Sequence, residues 1–540
     1  VTRLWRPLLA TLVLFLVLIQ PNHPQAMTWG ALGLFPLELP VILTALVVLG
    51  RSWAGIVARV LLVAALGVIV LLKLADFGTF IAFNRGFNVV VDLMLVHAGW
   101  TLLKGSIGVP LALVAGLGAL LAFGALVWAL WWATGVLSGL VRSARLRGVA
   151  AVAFVPALAL AVAEVGQVRR AWVLPDSLRA AIPGAAFTAR VGLERIEQVR
   201  NTRADLAAFR VAALDDPMLD AGPLLDHLGD RDLIVIYVES YGRSSFRNPL
   251  YAPTHTATLQ RIQRDLDAQG VAMRSGWATA PMTGGQSWLA HGSVASGLWL
   301  NTQGRYRAML VSPRRTLYHF AQTAGRRSVA IKPAHVFPWP EGAFFGFDAI
   351  YNAVDLGYRG QPFNWVTMPD QFTLMALDRL ERDRTDRAPI VAQVALVSSH
   401  APWVPIPELV AWEDVGDGTI FDQWALSGDP PDVVWRDHDR VRDQFRLAVD
   451  YSLQAVGAWA LRHADNPPLI IMLGDHEPAG FVAGTGGQDV PVHVIGPRDL
   501  VDRFASLGWG DGMIPPDGLA PRRMDQLRDD LLRALSIGAP

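Results

Sequence analysis

Three apolar runs in this sequence end in side chains that suit hard or borderline cations. Leu233–Val238 runs into Glu239-Ser240-Tyr241-Gly242, residues 390–397 into Ser399-His400-Ala401-Pro402, and residues 469–473 into Gly474-Asp475-His476-Glu477-Pro478. Some polar residue must follow any buried strand, so a single such ending carries little information. Three endings that offer Glu239, His400 and the pair Asp475-His476 point instead to a shared metal centre, because carboxylate oxygen and imidazole nitrogen are ligands for Mn²⁺, Mg²⁺ and Zn²⁺. In open α/β sheets, ligands bind just beyond the carboxyl ends of strands, which is where these residues fall. The chain has no cysteine, which excludes disulfides, thiolate zinc sites and cysteine nucleophiles.

The elements needed to hold such a centre are legible as β-branched runs at 233–238, 328–331, 390–397, 469–473 and 490–495. Between them lie helix-like stretches at 254–269, 370–384, 439–463 and 524–535, with apolar residues at helical spacing. Strands alternating with helices predict a largely parallel sheet covered on both faces.

On these residues the sequence resembles the sulfatase-like branch of the alkaline phosphatase superfamily, in particular lipoteichoic acid synthases and periplasmic glucan phosphoglycerol transferases. The resemblance spans about residues 230–500, and the apolar segment before it matches the family's five-span membrane domain. By that resemblance Glu239, Asp475 and His476 are metal ligands, and Thr283-Gly284-Gly285-Gln286-Ser287 is the nucleophile loop, with Ser287 standing where many members have threonine. Ser287 is then both nucleophile and ligand. His400 matches a substrate-contacting histidine, and His335 with Trp339 resembles a head-group pocket. Where lipoteichoic acid synthases continue Trp-x-Arg, this chain has Trp339-Pro340-Glu341, so Glu341 replaces an anion-binding arginine. The chemistry implied is attack by a metal-activated serine hydroxyl, since that hydroxyl is a weak nucleophile at its own pKa. Residues 288–298 read as a helix whose first N–H groups would help to cradle phosphate.

Within the superfamily, sulfatases convert a serine or cysteine that is followed by Pro two places on and Arg four places on. Ser287-Trp288-Leu289-Ala290-His291 has neither. Phosphoethanolamine transferases usually carry several disulfides, so the lack of cysteine puts them second, alongside phosphodiester hydrolases. An oxygen-rich set suits Mn²⁺ or Mg²⁺, with Zn²⁺ as the alternative. The expected reaction moves a phosphoglycerol-type head group from a membrane phospholipid, phosphatidylglycerol first, to an envelope glycan or glycolipid. A reading of another class, a non-catalytic sulfatase-like scaffold, conflicts with an intact ligand set. His291, His438 and His493 have no assignment in this scheme, although His493, after Pro491-Val492, is a candidate further ligand.

The 540 residues are 52% hydrophobic and only 17% charged, too apolar for an ordinary soluble enzyme. The excess is confined to residues 1–165, which hold fourteen charged side chains; the remainder has a modest acidic excess, which argues against nucleic-acid binding. Apolar stretches near 4–20, 30–50, 56–80, 109–134 and 148–165 predict about five membrane spans. The opening Thr2-Arg3-Leu4-Trp5-Arg6 and its apolar run read as a retained first span rather than a cleaved signal. With Arg3 and Arg6, Arg51, and Arg142, Arg145 and Arg147 all on the cytoplasmic side, everything after about residue 166 lies outside a bacterial inner membrane. The expected organisation is a helical transmembrane domain at 1–166, a juxtamembrane helix and linker at 167–230 with a helical patch at 193–209, and a sulfatase-like α/β catalytic domain at 231–540.

Overall fold

The protein is described by a computed structural model covering residues 5–83, 85–141, 143–172, 175, 184–222, 224–337, 339–484 and 487–539. The chain divides into two compact units, residues 1–81 with 85–205, and residues 82–84 with 206–540.

The first unit is helical. Among the described residues three helices are long and apolar enough to cross a membrane: Trp53–Phe83, Gly108–Ser138 and Ala144–Val168. The expectation of five is corrected to three. Trp5–Ile19 has 15 residues and Glu38–Leu49 has 12, and at about 1.5 Å rise per residue neither reaches the thickness of a hydrocarbon core. The apolar stretch near 30–50 does not become one helix. A short helix Trp29–Leu32 is followed by the strand Phe35–Pro36, which pairs with Gly184–Ala185, so the longer helix starts only at Glu38. Residues 93–107 are helical but separate from the following span, because Gly108 takes a φ of 78° and breaks the run. Arg3, Arg142 and Pro183 lie outside the described residues. Among the described residues of this unit the buried Lys73, Asp76, Asp92 and Glu164 all have partners, as an apolar surround requires. Asp76 accepts the Phe87 N–H at 2.8 Å and forms an ion pair with Arg195. Asp92 pairs with Arg85, and the Lys73 ammonium donates to Thr188 Oγ1 at 2.9 Å.

The second unit is built on a nine-stranded mixed sheet. Its strands are β1 (Leu233–Val238), β2 (Ala272–Thr279), β3 (Arg327–Lys332), β4 (Ala349–Asn352), β5 (Ile390–Ala395), β6 (Leu469–Gly474), β7 (Asp489–Gly496), and the two-residue β8 (Gly510–Asp511) and β9 (Arg522–Arg523). The order is β8-β2-β7-β6-β1-β5-β3-β4, with β9 on β2. The block β6-β1-β5-β3-β4 is parallel, while β7 and β2 run antiparallel to their neighbours except at β9. Every residue of β1 is buried. Ile234, Ile236 and Val238 face one core together with α1 (Ala252–Ala268) and α4 (His438–Arg462), whereas Leu233, Val235 and Tyr237 face a second core shared with α2 (Ser287–Ser296). Cover on both faces is why these strands read as unbroken apolar runs rather than as alternating ones. The stretch expected as one helix at 370–384 is α3 (Asp370–Leu377) followed by a π-type turn at Asp378–Arg382. The helical patch at 193–209 is the middle of a longer helix, Phe187–Ala212.

Candidate active site and metal centre

The parallel register of β1 and β6 sets Val238 opposite Gly474. The next residue on each strand is therefore delivered to the same spot: Glu239 from one, Asp475 and His476 from the other. All three are buried, and their ligand atoms lie within 4.8 Å of one another. Among the described residues no other group of three such side chains is disposed to hold an ion. Asp475 Oδ1 is oriented by the N–H groups of Ser240 and His476, both at 2.8 Å. The His476 ring has Nδ1 2.8 Å from the Glu477 carbonyl oxygen, so Nδ1 carries the proton and Nε2 is left to face Glu239 Oε1 at 3.2 Å.

Ser287 joins this group from the first turn of α2. Its Oγ donates to Glu239 Oε2 at 2.9 Å and lies 3.2 Å from His476 Nε2. What brings it there is a short main-chain bridge. Thr283 pairs with Glu477, and the Gly284 N–H donates to the Glu477 carbonyl at 2.8 Å, so the loop before α2 is tied to the turn that carries Asp475 and His476. The Glu477 side chain is not a ligand. It turns away to accept from the Ser244 N–H at 2.8 Å and the Ser244 hydroxyl at 2.6 Å. Gly242 makes room for it, since a Cβ there would come 2.1 Å from Glu477 Oε2.

The electrostatics show what the donor set wants. Burial and the neighbouring Glu239 charge push the Asp475 carboxyl well up. Burial also opposes the charge on Glu239, but hydrogen bonding and attraction from His476, with help from His400, hold that carboxyl below the usual carboxylate range. His476 is raised to about 9 against the effect of its burial, by Asp475 and Glu239. Two carboxyls, one imidazole and one hydroxyl held this closely out of water carry a deficit of positive charge, and a divalent cation meets it. The residues fit one metal ion.

The remaining candidates are placed as follows. His400 is exposed, with Nδ1 2.6 Å from the Ala401 carbonyl oxygen, and its charge reaches Glu239. His335 and Trp339 meet edge to face at 5.4 Å. Glu341 is exposed on the 3₁₀ turn Pro340–Phe345, where its charge acts on Tyr306. His493 is not brought to the cluster. Its Nδ1 lies 2.8 Å from Ser275 Oγ and its Nε2 3.1 Å from the Tyr241 hydroxyl, so both ring nitrogens are engaged inside the sheet. His438 opens α4 and rests on Phe481.

Two residues without a role in the sequence reading lie beside the site. His291 is one helical turn beyond Ser287 on α2, its ring 4.0 Å from that of Tyr237 and tilted by 41° to it, and Lys332 is the buried last residue of β3. The spacing of Ser287 and His291, four residues apart in a helix, is a signal that sequence alone contains. So is a lysine that closes an apolar strand.

No family model matches the sequence, and no curated protein matches it. Solved structures are similar. The lipoteichoic acid synthase LtaP from Listeria monocytogenes shares 14% identity over 57% of this chain and 73% of its own, at a TM-score of 0.37. The Streptococcus pyogenes phosphoglycerol transferase GacH shares 12% over 62% and 81%, at 0.35. The soluble domain of lipooligosaccharide phosphoethanolamine transferase A from Neisseria meningitidis shares 13% over 60% and 92%, at 0.39.

Proposed function

We propose that this chain is a metal-dependent membrane enzyme of the alkaline phosphatase superfamily that moves a substituted phosphoryl head group from a phospholipid to an envelope glycan or lipid acceptor through Ser287. The observation that carries the proposal is the contact of the Ser287 hydroxyl with Glu239 and His476.

Glu239, Asp475, His476 and Ser287 would hold one divalent ion, Mn²⁺ or Mg²⁺ before Zn²⁺ given the oxygen-rich set. When bound, such an ion lowers the pKa of a coordinated hydroxyl and offsets charge on phosphoryl oxygens. The chain's own groups direct the rest. The Ser287 hydroxyl donates to Glu239 Oε2, a contact that orients Oγ; the hydroxyl gives up its proton as Oγ bonds to phosphorus. The phosphorus–oxygen bond to the lipid breaks, diacylglycerol leaves with a proton, and the head group remains as a phosphodiester on Ser287. An acceptor hydroxyl then displaces the Ser287 oxygen, which regains its proton. α2 opens at Ser287, and its first N–H groups would help to cradle that phosphoryl group.

Three long apolar helices support a membrane location, and their arrangement supports an outward-facing catalytic unit. The Arg51 guanidinium lies against Gly139 and that of Arg147 against Gly50, so both arginines sit at one end of the helical unit. With that end cytoplasmic, the spans Trp53–Phe83, Gly108–Ser138 and Ala144–Val168 leave the chain outside. Phosphoglycerol is the head group read from sequence. A catalytically silent scaffold is disfavoured by a ligand set in which every member is oriented. The test is peptide mapping after incubation with phosphatidylglycerol and Mn²⁺: a glycerophosphoryl adduct on the Ser287 peptide supports the proposal, and an adduct confined to another hydroxyl refutes it.

A further inference from the structure

Two tryptophans stack at the surface of the catalytic unit. Trp403, in the loop that leaves β5 and carries His400, is 5% exposed, and its ring lies 5.6 Å from that of Trp435 at an angle of 6°. Both indoles are fixed by the main chain: the Trp403 Nε1–H donates to the Ser399 carbonyl at 2.7 Å, and that of Trp435 to the Pro402 carbonyl at 3.2 Å. Phe445 of α4 meets Trp403 edge to face at 5.5 Å, and Phe481 meets Trp435 in the same way at 6.1 Å. Trp403 also takes a φ of 60°, a left-handed conformation that a bulky residue keeps only where its surroundings hold it. Trp403 covers one face of the Trp435 ring, yet Trp435 stays 41% exposed, which leaves the other face for a ligand. A ring already held in place offers that contact area with little further ordering.

The stack is tied to the reaction site. Ser399, whose carbonyl accepts from Trp403, donates its hydroxyl to the main-chain oxygen of Glu239 at 2.7 Å, so Trp403 is two contacts from a candidate metal ligand. Phe481 belongs to the short helix Gly480–Ala483, which follows Asp475 and His476 in the turn beyond β6. The aromatic group therefore joins the loops that leave β5 and β6, at the rim of the site.

Its surroundings choose among occupants. Residues 429–440 carry Asp429, Asp432, Asp437 and Asp439 against Arg436 and Arg440. That acidic excess disfavours an anionic lipid surface, which attracts basic segments. Asp432 and Arg436, both exposed, meet at 3.1 Å on the turn that ends in Trp435. An uncharged, hydroxyl-rich ligand with one apolar face fits this combination. A pyranose is such a ligand: its axial C–H groups pack on the electron-rich face of an indole, and its hydroxyls bond to carboxylate and guanidinium groups at the border of the ring.

We propose that Trp435, backed by Trp403, is the platform of a saccharide subsite on which a neutral sugar unit of the acceptor stacks while its hydroxyls reach Asp432 and Arg436. The inference rests on the function proposed above and narrows the acceptor from glycan or lipid to glycan.

The test is an array of neutral hexose oligosaccharides probed with the full-length, Mn²⁺-loaded protein in a detergent without a sugar head group, followed by titration with the oligosaccharide bound best. Trp435→Ala should weaken that binding about tenfold or more, the loss expected when a tryptophan anchor is truncated, with metal stoichiometry unchanged. Trp435→Phe, which keeps an aromatic face, should recover much of the affinity, whereas Trp435→Leu, apolar but without a ring, should not. Asp432→Ala should lose several-fold, and Ser287→Ala should bind as wild type does. Wild-type affinity in Trp435→Leu, or in Asp432→Ala should no Trp435 variant fold, overturns the platform. So does a loss in Trp435→Ala that is seen on phosphatidylglycerol vesicles and not on saccharide. A wild-type protein that binds none of the oligosaccharides yet forms the glycerophosphoryl adduct on Ser287 overturns the platform and leaves the enzyme reading standing. Saccharide binding by a protein that forms no such adduct upholds the platform and overturns the enzyme reading instead.

Discussion

Val238 and Gly474 stand opposite each other at the last pair of the β1–β6 ladder, and this register places Glu239 beside Asp475 although 236 positions separate them in the sequence. Each removes one anionic ligand from a small set when substituted. Glu239→Gln and Asp475→Ala should therefore lose bound metal and turnover together, with metal affinity falling by at least about 10-fold to 100-fold, the range typical even of groups that only support a ligand. Metal analysis of the purified variants decides this. Full stoichiometry in both would show that the ion binds elsewhere.

Ser287→Ala separates chemistry from binding. Because Glu239, Asp475 and His476 remain, much of the metal should stay, while turnover of a phosphodiester substrate drops by about 10³-fold or more, as losing a nucleophile does. Ser287→Thr should keep partial activity, in line with the threonine of the enzymes this sequence resembles. Thr283→Ala serves as control, since Thr283 contributes to the bridge with Glu477 mainly through its backbone. Full activity in Ser287→Ala would move the nucleophile to another residue.

Gly242→Ala tests the packing behind the ligands. The new Cβ would meet the Glu477 carboxylate, which cannot retreat without giving up its two bonds from Ser244. Overpacking of this kind costs about 1–3 kcal/mol. The expected result is a lower melting temperature together with weakened metal binding, because the Glu477 main chain also holds the loop before Ser287. Unchanged stability and metal affinity would show that the turn adapts freely.

The catalytic unit should lose stability in mild acid through buried neutral histidines. Burial brings His255 down to about 4 and His493 to about 3, against about 6.5 in an unfolded chain. Between those limits the unfolded state binds protons that the folded state refuses, so stability falls as pH drops below about 6.5, by up to about 1.4 kcal/mol per pH unit for each ring. The loss continues to about pH 4 for His255 and about pH 3 for His493. His255→Gln, which keeps a donor for the Arg446 carbonyl, should flatten the dependence of melting temperature on pH between 6.5 and 4.5. An unaltered slope would show that His255 is protonated within the fold.

Orientation is open to a reporter fusion near residue 214, beyond the helix Phe187–Ala212. A phosphatase reporter that functions only outside the cytoplasm should be active there and inactive at about residue 140, in the short connection between Gly108–Ser138 and Ala144–Val168. The opposite pattern would exclude lipid head-group transfer on the outer face.

Much of the α/β unit is readable in sequence because β1, β3, β5, β6 and β7 carry β-branched runs. β2 is not. Its Met273-Arg274-Ser275-Gly276-Trp277 lacks such a run, and it is held by antiparallel partners and by Trp509, which lies against Gly276. The surplus spans of the helical unit come from reading each apolar stretch as one long helix, whereas Trp5–Ile19 is only 15 residues long and the stretch near 30–50 is interrupted by the strand Phe35–Pro36. At the site, Glu239, Asp475 and His476 can be read because they follow strands. His493 resembles a ligand in sequence, yet Ser275 and Tyr241 occupy its ring, and neither pairing is visible before the strands are aligned. Lys332 draws no notice as a lone charge in the sequence. It becomes notable only once the fold sets it against His291 and Trp339, an adjacency that exists in three dimensions alone.

The position of β1 also sets an order of assembly. It is the first strand of the sheet to be synthesised, yet its two neighbours are residues 390–395 and 469–474. Until some 230 further residues have followed it, one edge of this fully apolar strand stays open. Such long-range parallel pairing is slow and leaves the nascent chain prone to association. A polypeptide delivered segment by segment across a bilayer would meet that hazard on the far side, where holding chaperones, rather than intrinsic folding speed, would govern how much enzyme matures.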